Sequence, residues 1–240
     1  MLIGESTPPR GADAFRLVRV DFYQKQVDGL ALPPELWLNT PALSGQGIGG
    51  LDLNGIYLKG KSSATGDERS RMAAGASLLA ATLQSNFGYT PDHYVVIKQP
   101  AFADYIDHLG GLNVTMPYAF AAFPAGAQHL TGGMALDLFR MPGASEWERM
   151  GRQKLILQAI YVSVMDPKNF TQIPALISTL YSDILTDLSL KQILDVSCIL
   201  KQPGLVYNQQ VVGPDLVVSA SQGLLPRTNL GAYILQTAGK

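Results

Sequence analysis

Charge is what this sequence has least of. Only 15% of its 240 residues are Asp, Glu, Lys or Arg, against roughly 25% in an average soluble domain, while 47% are hydrophobic. With 18 basic and 19 acidic side chains the formal net charge is -1. The basic residues form neither a run nor a stripe interleaved with aromatics, which argues against nucleic acid as a partner. The single cysteine, Cys198, cannot close an intramolecular disulfide, and its place in the apolar run VSCIL predicts a buried, inert thiol. His93, His108 and His129 are scattered, without Cys, His or carboxylate neighbours at ligand spacing, so a zinc site is not expected. No G-x-S-x-G elbow supplies a serine nucleophile. No window approaches the roughly 18 uninterrupted apolar residues of a membrane span. The opening MLIGESTPPRG lacks a signal-peptide pattern, which predicts either a cytoplasmic chain or one whose N-terminal anchor is missing.

What the chain does have is apolar material in alternating strand-like and helix-like segments. Residues 15–22 and 26–32 bracket the turn-like YQKQ as a hairpin, and 36–39 extends the sheet. Residues 40–66 are rich in Gly and Ser and read as a long surface loop with a short element near LNGIYL. A helix is expected over 67–87, closed by Gly88, then a strand over 93–98 and a helix over 100–109. Helices over 170–184 and 190–200, a strand over 211–220 and a closing helix over 229–237 complete the reading. Neither a repeat nor a linker interrupts it. The expectation is an α/β fold, residues 1–240 as a single three-layer α-β-α domain with a mixed central sheet and helices on both faces. The small residues of Ala73 to Leu83 and the low charge predict an apolar tunnel between the sheet and the helices starting near Asp67 and Trp147.

Three blocks carry the chemistry: DYIDHLGGLNVTMP, GAQHLTGGMALDLFRMPG and SEWERMGRQKLILQAI. The second sets Arg140 at a helix end, just before Pro142-Gly143. The third places Arg149 and Arg152 in the first turns of the next helix, ahead of an apolar run. Cations near one helix's end and another's start are able to converge on an anion, which points to phosphate-type chemistry beside apolar surface. Arg149 taken alone reads as a solvated surface residue, His129 as structural, and Arg140 as a possible partner for its own helix's last carbonyls.

In their order and separation these blocks resemble the LytR-CpsA-Psr family of the bacterial cell envelope, over essentially the whole chain and most strongly over residues 88–165. The resemblance implies binding of a polyprenyl phosphate or pyrophosphate, with the isoprenoid in an apolar tunnel and the head group held by arginines. It also implies Mg2+, or another divalent metal, bridging the pyrophosphate to aspartate. The implied reaction moves a phospho-linked glycopolymer from its lipid carrier to peptidoglycan, at the extracytoplasmic face of the cell membrane, with any membrane anchor absent from this chain. Phosphoryl transfer rests on positioning and charge neutralisation, so arginines and a metal suffice. Carried over by residue, Arg10 and Asp13 match the family's R-x-x-D, with Asp13 the metal ligand. Arg140 matches the first arginine of its R-x-R, and Arg152 with Gln153 its G-R-Q block. Arg140 and Arg152 are then the catalytic pair, and Arg10, Arg140, Arg152 and Gln153 bind substrate.

Four positions depart from the pattern. Gly4-Glu5-Ser6 stands where the family has an aspartate, so one metal carboxylate is lost or shifted to Glu5. Asp52-Leu53-Asn54 stands for its K-I-N. Pro34 and Pro142 stand for two arginines, and proline has neither charge nor donor. Arg69, Arg71 or Arg149 are candidates to fill the vacated places. Two functions follow, a metal-dependent phosphotransferase and a degenerate module that holds a polyprenyl phosphate or another lipid without transferring it. A cytoplasmic α/β enzyme unrelated to the envelope is the third reading.

Overall fold

Alternation of apolar residues after Gly11 builds the first hairpin of a computed structural model that describes residues 1–6, 11–170, 183–200 and 202–239. In chain order the strands and helices are β1 (Leu2–Glu5), β2 (Ala12–Asp21), β3 (Gln26–Leu32), β4 (Trp37–Asn39), β5 (Gly50–Asp52), α1 (Leu53–Ser63) and α2 (Glu68–Phe87). Then come β6 (Val95–Lys98), α3 (Gln99–His108), β7 (Leu112–Met116), β8 (Gly126–Leu130), α4 (Gly132–Arg140), α5 (Glu146–Val164) and α6 (Pro167–Phe170). The chain closes with β9 (Ile184–Thr186), α7 (Leu190–Leu200), β10 (Val206–Val211), β11 (Val217–Ala220), β12 (Gly223–Pro226) and α8 (Leu230–Thr237). Residues 1–97 with 185–240 form one compact unit and residues 98–184 a second.

The first unit is organised by a six-stranded sheet in the order β10-β3-β2-β1-β6-β9. β2 runs antiparallel to both β1 and β3, with Ile3 opposite Phe15 and Leu17 opposite Leu30, while β10 runs parallel to β3. The sheet is therefore mixed, as expected. Ile3, Phe15, Leu17 and Leu30 are all buried, each such side chain contributing about 1.5–3 kcal/mol. Because side chains alternate across a strand, Leu17 and Arg19 share one face of β2 and Val18, Val20 and Phe22 the other. On the first face pack α1 and α8, with Arg19 against the backbone at Gly239. On the second, α7 lies across an apolar cavity of about 550 Å³ lined by Leu2, Val18, Val20, Phe22, Leu188 and Val196. Helices thus cover both faces.

Several segments differ from the sequence reading. Residues 40–66 hold a 3-10 helix (Pro41–Gln46), β5 and the whole of α1 rather than a surface loop. The sequence is too Gly- and Ser-rich to announce a helix, but Asp52 caps it, its Oδ1 accepting from Gly55 N at 2.6 Å, and the α1–α2 contact needs glycine. A Cβ on Gly60 would lie 2.7 Å from Ala74 O, and one on Gly75 would lie 2.8 Å from the Tyr57 ring. The small residues of α2 therefore serve close packing against α1. The expected strand over 211–220 is interrupted: its first residue ends β10 of the main sheet, a turn from Gly213 to Leu216 follows, and its last four form β11, which pairs with β12. Cys198 is exposed. The cavity-facing stripe of α7 runs Gln192, Asp195, Val196 and continues to buried Ile199, which turns Cys198 outward. The helix expected over 170–184 lies almost wholly outside the described residues.

In the second unit α3, the β7–β8 hairpin, α4 and α5 follow one another. Gly111 (φ 86°) admits His129, whose Nε2 would sit 2.6 Å from an added Cβ. Across the hairpin His129 Nδ1 meets Asn113 Oδ1 at 2.9 Å, the structural role expected for it. Thr131 caps α4 and Ser145 caps α5 by accepting from Met134 N and Glu148 N. At Gly132, α4 starts so close to α3 that a Cβ would lie 2.0 Å from Ala103 O.

Candidate functional site

The first unit carries the acidic residues. Where β1 leaves the sheet, the register shifts between Gly4 and Glu5. Ser6 N donates to Gly11 O at 2.6 Å, and Ser6 Oγ donates to Asp13 Oδ2 at 2.6 Å. Asn54 of α1 secures the start of β2, its Oδ1 accepting from Ala12 N at 2.9 Å, so the Asp-Leu-Asn stretch positions the backbone beside Asp13. Glu5 is buried. Its Oε1 accepts from Lys61 Nζ and from Tyr57 Oη, and Oε2 has no hydrogen-bond partner. Burial, then the Glu5 charge, push the Tyr57 hydroxyl well above its usual pKa, so it stays a neutral donor. Arg10 lies outside the described residues. Arg16, which the sequence reading passed over as a strand residue, is fully buried on β2 and donates to Gln209 Oε1 at 3.3 Å.

A magnesium-type ion takes oxygen donors, commonly one or two carboxylates with water and substrate phosphates completing the shell. Asp13, braced by Ser6, and the unbonded Oε2 of Glu5 are donors of that kind. The other Glu5 oxygen is held by Lys61, which limits what Glu5 offers. Among the described residues no group of three His, Cys, Asp or Glu gathers. Asp13 and Glu5 thus supply oxygen donors of the kind a divalent ion takes, and among the described residues they do not make a self-sufficient metal cage.

The second unit carries the arginines around the C-terminal end of α4. Arg140 stands in its last turn, half-buried and without a side-chain partner among the described residues. From α5, Arg152 Nη2 donates to Met141 O at 2.5 Å and Gln153 Nε2 to Phe139 O at 3.4 Å. Arg152 and Gln153, not Arg140, therefore satisfy the carbonyls at this negative end of the helix dipole, and they lock α5 to the residues flanking Arg140. Arg152 is 3% exposed and Gln153 2%. Glu148 Oε1 lies 3.3 Å from Arg152 Nη1 without hydrogen-bond geometry, so both Nε and Nη1 are buried without a hydrogen-bond partner. Burial pulls the Arg152 pKa down from its ordinary value, opposed by the Glu148 carboxylate, and the guanidinium remains charged. Close approach of the Met141–Gly143 turn depends on glycine, since a Cβ on Gly143 would lie 2.8 Å from Glu148 Oε2 and 3.1 Å from Arg152 Nη1.

Arg149 departs from the solvated surface residue that was expected. It is buried and forks onto Glu146, with Nε to Oε1 at 3.0 Å and Nη2 to Oε2 at 2.5 Å. An i,i+3 carboxylate on the same helix face draws the side chain down and engages the fork. Pro34 is buried, its carbonyl accepting from Asn54 N at 3.4 Å, whereas Pro142 is exposed. The arrangement can do one thing directly. It can offer an anion a fixed, desolvated guanidinium whose remaining donors are otherwise unmet.

The comparisons agree with the motifs. The LytR_cpsA_psr family matches residues 11–228. The polyisoprenyl-teichoic acid–peptidoglycan teichoic acid transferase TagU of Bacillus mycoides is 24% identical over 129 residues, covering 51% of this chain and 42% of that protein. The chain thus spans under half the length of that relative. TagV of B. subtilis shares the fold at a TM-score of 0.73 and 19% identity, over 99% of this chain and 96% of its own. A LytR-Csp2A-Psr enzyme from Actinomyces oris does so at 0.73 and 18%, over 99% and 89%. With the match spanning both the acidic and the arginine-bearing stretches, this chain belongs to the LytR-CpsA-Psr family.

Proposed function

We propose that this chain is a phosphotransferase of the bacterial cell envelope that holds a polyprenyl-phosphate-linked glycopolymer by its phosphates and passes the glycan to peptidoglycan. The observation that carries the reading is Arg152, a nearly fully buried cation with two nitrogens lacking a hydrogen-bond partner, in the G-R-Q block. Leaving such donors unmet costs about 1–3 kcal/mol each or more, a cost that a phosphate oxygen relieves. Arg140, without a partner on the adjoining helix end, adds a second cation, and Gln153 keeps the two helices in register. Asp13 is the proposed ligand for Mg2+, which when bound neutralises charge developing on the phosphate. The site of action is the outer face of the cell membrane, although no helix among the described residues is long and apolar enough to cross it.

A second reading, a lipid-phosphate-binding module without transfer, is favoured by Pro34, Pro142 and the engagement of Arg149 with Glu146. One assay separates them. The purified protein is given a polyprenyl-pyrophosphate-linked glycan and a peptidoglycan acceptor, with and without magnesium. Magnesium-dependent transfer supports the phosphotransferase. Saturable binding without transfer selects the module, and the absence of both overturns the two readings together.

A further inference from the structure

The β7–β8 hairpin loop holds an aromatic ring against the guanidinium on which the proposed function rests. Phe120 lies with its ring centroid 3.7 Å from Arg152 Cζ, well inside the roughly 6 Å of an effective cation–π contact. The loop is built to keep it there. Phe120 N donates to Phe123 O at 2.7 Å and Phe123 N to Phe120 O at 2.8 Å, closing a tight turn over Ala121 and Ala122. Ala121 takes φ 49°, a left-handed conformation that a residue with a Cβ adopts against its preference and that the closed turn imposes. Phe123 is buried and anchors the turn, while Phe120 is half-buried over the arginine.

A guanidinium has two faces and an edge. Phe120 covers one face, Met141 O takes one Nη2 proton, and Glu148 stands 3.3 Å from Nη1. Nε and Nη1 then keep buried N–H groups without hydrogen-bond partners. We propose that Phe120 is the positioning residue of this site: its ring fixes the plane of the Arg152 guanidinium so that the unbonded Nε–H and Nη1–H groups are held ready-oriented for an incoming phosphate. This rests on the phosphate-binding function proposed above. A ring that merely filled space would be replaceable by any apolar side chain of similar size. A ring that orients the cation is replaceable only by another aromatic.

The test compares Phe120→Leu, Phe120→Ala and Phe120→Trp in the full chain, with a short-chain prenyl phosphate and the matching prenol as ligands. Calorimetry reads affinity, and a thermal melt identifies variants that have lost their fold. Leucine and alanine should weaken prenyl-phosphate binding by about 30-fold, the equivalent of the ~2 kcal/mol of a desolvated cation–π contact at about 1.4 kcal/mol per factor of ten. Prenol binding should not change, and tryptophan should keep the phosphate affinity. Tighter phosphate binding in Phe120→Ala, or equal losses for prenyl phosphate and prenol, overturns the proposal. A second readout is independent of binding. In arginine-labelled protein the Arg152 Nε–H resonance should carry a ring-current shift that Phe120→Leu removes. If the unmodified protein binds neither ligand, the proposed function fails, and this resonance still decides the orienting role: a loss of shift in Phe120→Leu supports it, an unchanged position overturns it.

Discussion

Two prolines stand where the resemblance to the family implies arginines, and their surroundings predict opposite outcomes for supplying the charge. Pro142 is exposed, in the turn that follows Met141, whose carbonyl holds Arg152. An arginine there displaces nothing and adds a cation next to the existing pair. Removal of one comparable electrostatic donor from an active site typically costs about 10²–10³ in rate, so Pro142→Arg should raise transfer by up to about that factor. Pro34 is buried, and its carbonyl accepts from Asn54, the residue that secures the start of β2 beside Asp13. A larger side chain forced into that packing costs about 1–3 kcal/mol, before any charge is considered. At about 2–4 °C per kcal/mol for a chain of this size, Pro34→Arg should melt about 2–12 °C lower and gain little activity. The assay is turnover of a polyprenyl-pyrophosphate-linked glycan with magnesium present, alongside calorimetric melts of both variants. If Pro142→Arg transfers no faster than the unmodified protein, or if Pro34→Arg melts unchanged, the reasoning from their exposure is wrong.

Other consequences are as direct. Arg152→Ala should weaken binding of a prenyl phosphate by roughly 1.5–3 kcal/mol, the range for a hydrogen bond to a charged group; an unchanged dissociation constant in calorimetry would remove Arg152 from the site. Gly132→Ala places a Cβ 2.0 Å from Ala103 O, so α3 and α4 must part, at a cost of about 1–3 kcal/mol that a denaturant titration will show as a lower midpoint. Asp67 caps α2, and its hydrogen bonds to the Ser70 side chain and backbone N–H hold its carboxyl below the ordinary 3.8. A depressed carboxyl stabilises the fold fully above that ordinary value, and the contribution is lost as pH falls through the lower, folded-state pKa. Melting temperatures measured from pH 5 downward should therefore fall less steeply in Asp67→Asn, and identical slopes would count against the cap.

Much of the architecture was legible locally. Alternation gave the β2–β3 hairpin within a few residues of its observed bounds, and the acidic start and Gly88 stop gave α2. Of the helix of residues 53–63 only a short element near LNGIYL was legible, because its glycines suit a neighbouring helix rather than helix formation as such. Nor was the break at Gly213, since an apolar run does not say which sheet each half will join. Cys198 was misread for a related reason: a run of apolar letters does not say which face of a helix meets the core.

The site divides the same way. The three blocks, read together, pointed to the family, and the resemblance carried over residue by residue singled out Arg140, Arg152, Gln153 and, from the separate stretch RGADAF, Asp13. What each side chain does was decided by tertiary structure. Arg149 and Arg152 stand three residues apart on α5 and look alike in sequence. The first forks onto Glu146 of its own helix, and the second is buried under Phe120 from a different hairpin, with part of its edge unbonded. A guanidinium takes whichever acceptor, ring or carbonyl the packed chain brings within a few ångströms, and for Arg152 the deciding neighbours come from elements far away in the sequence. The sequence determined where the charges are, and only the fold decided which one keeps unbonded N–H groups.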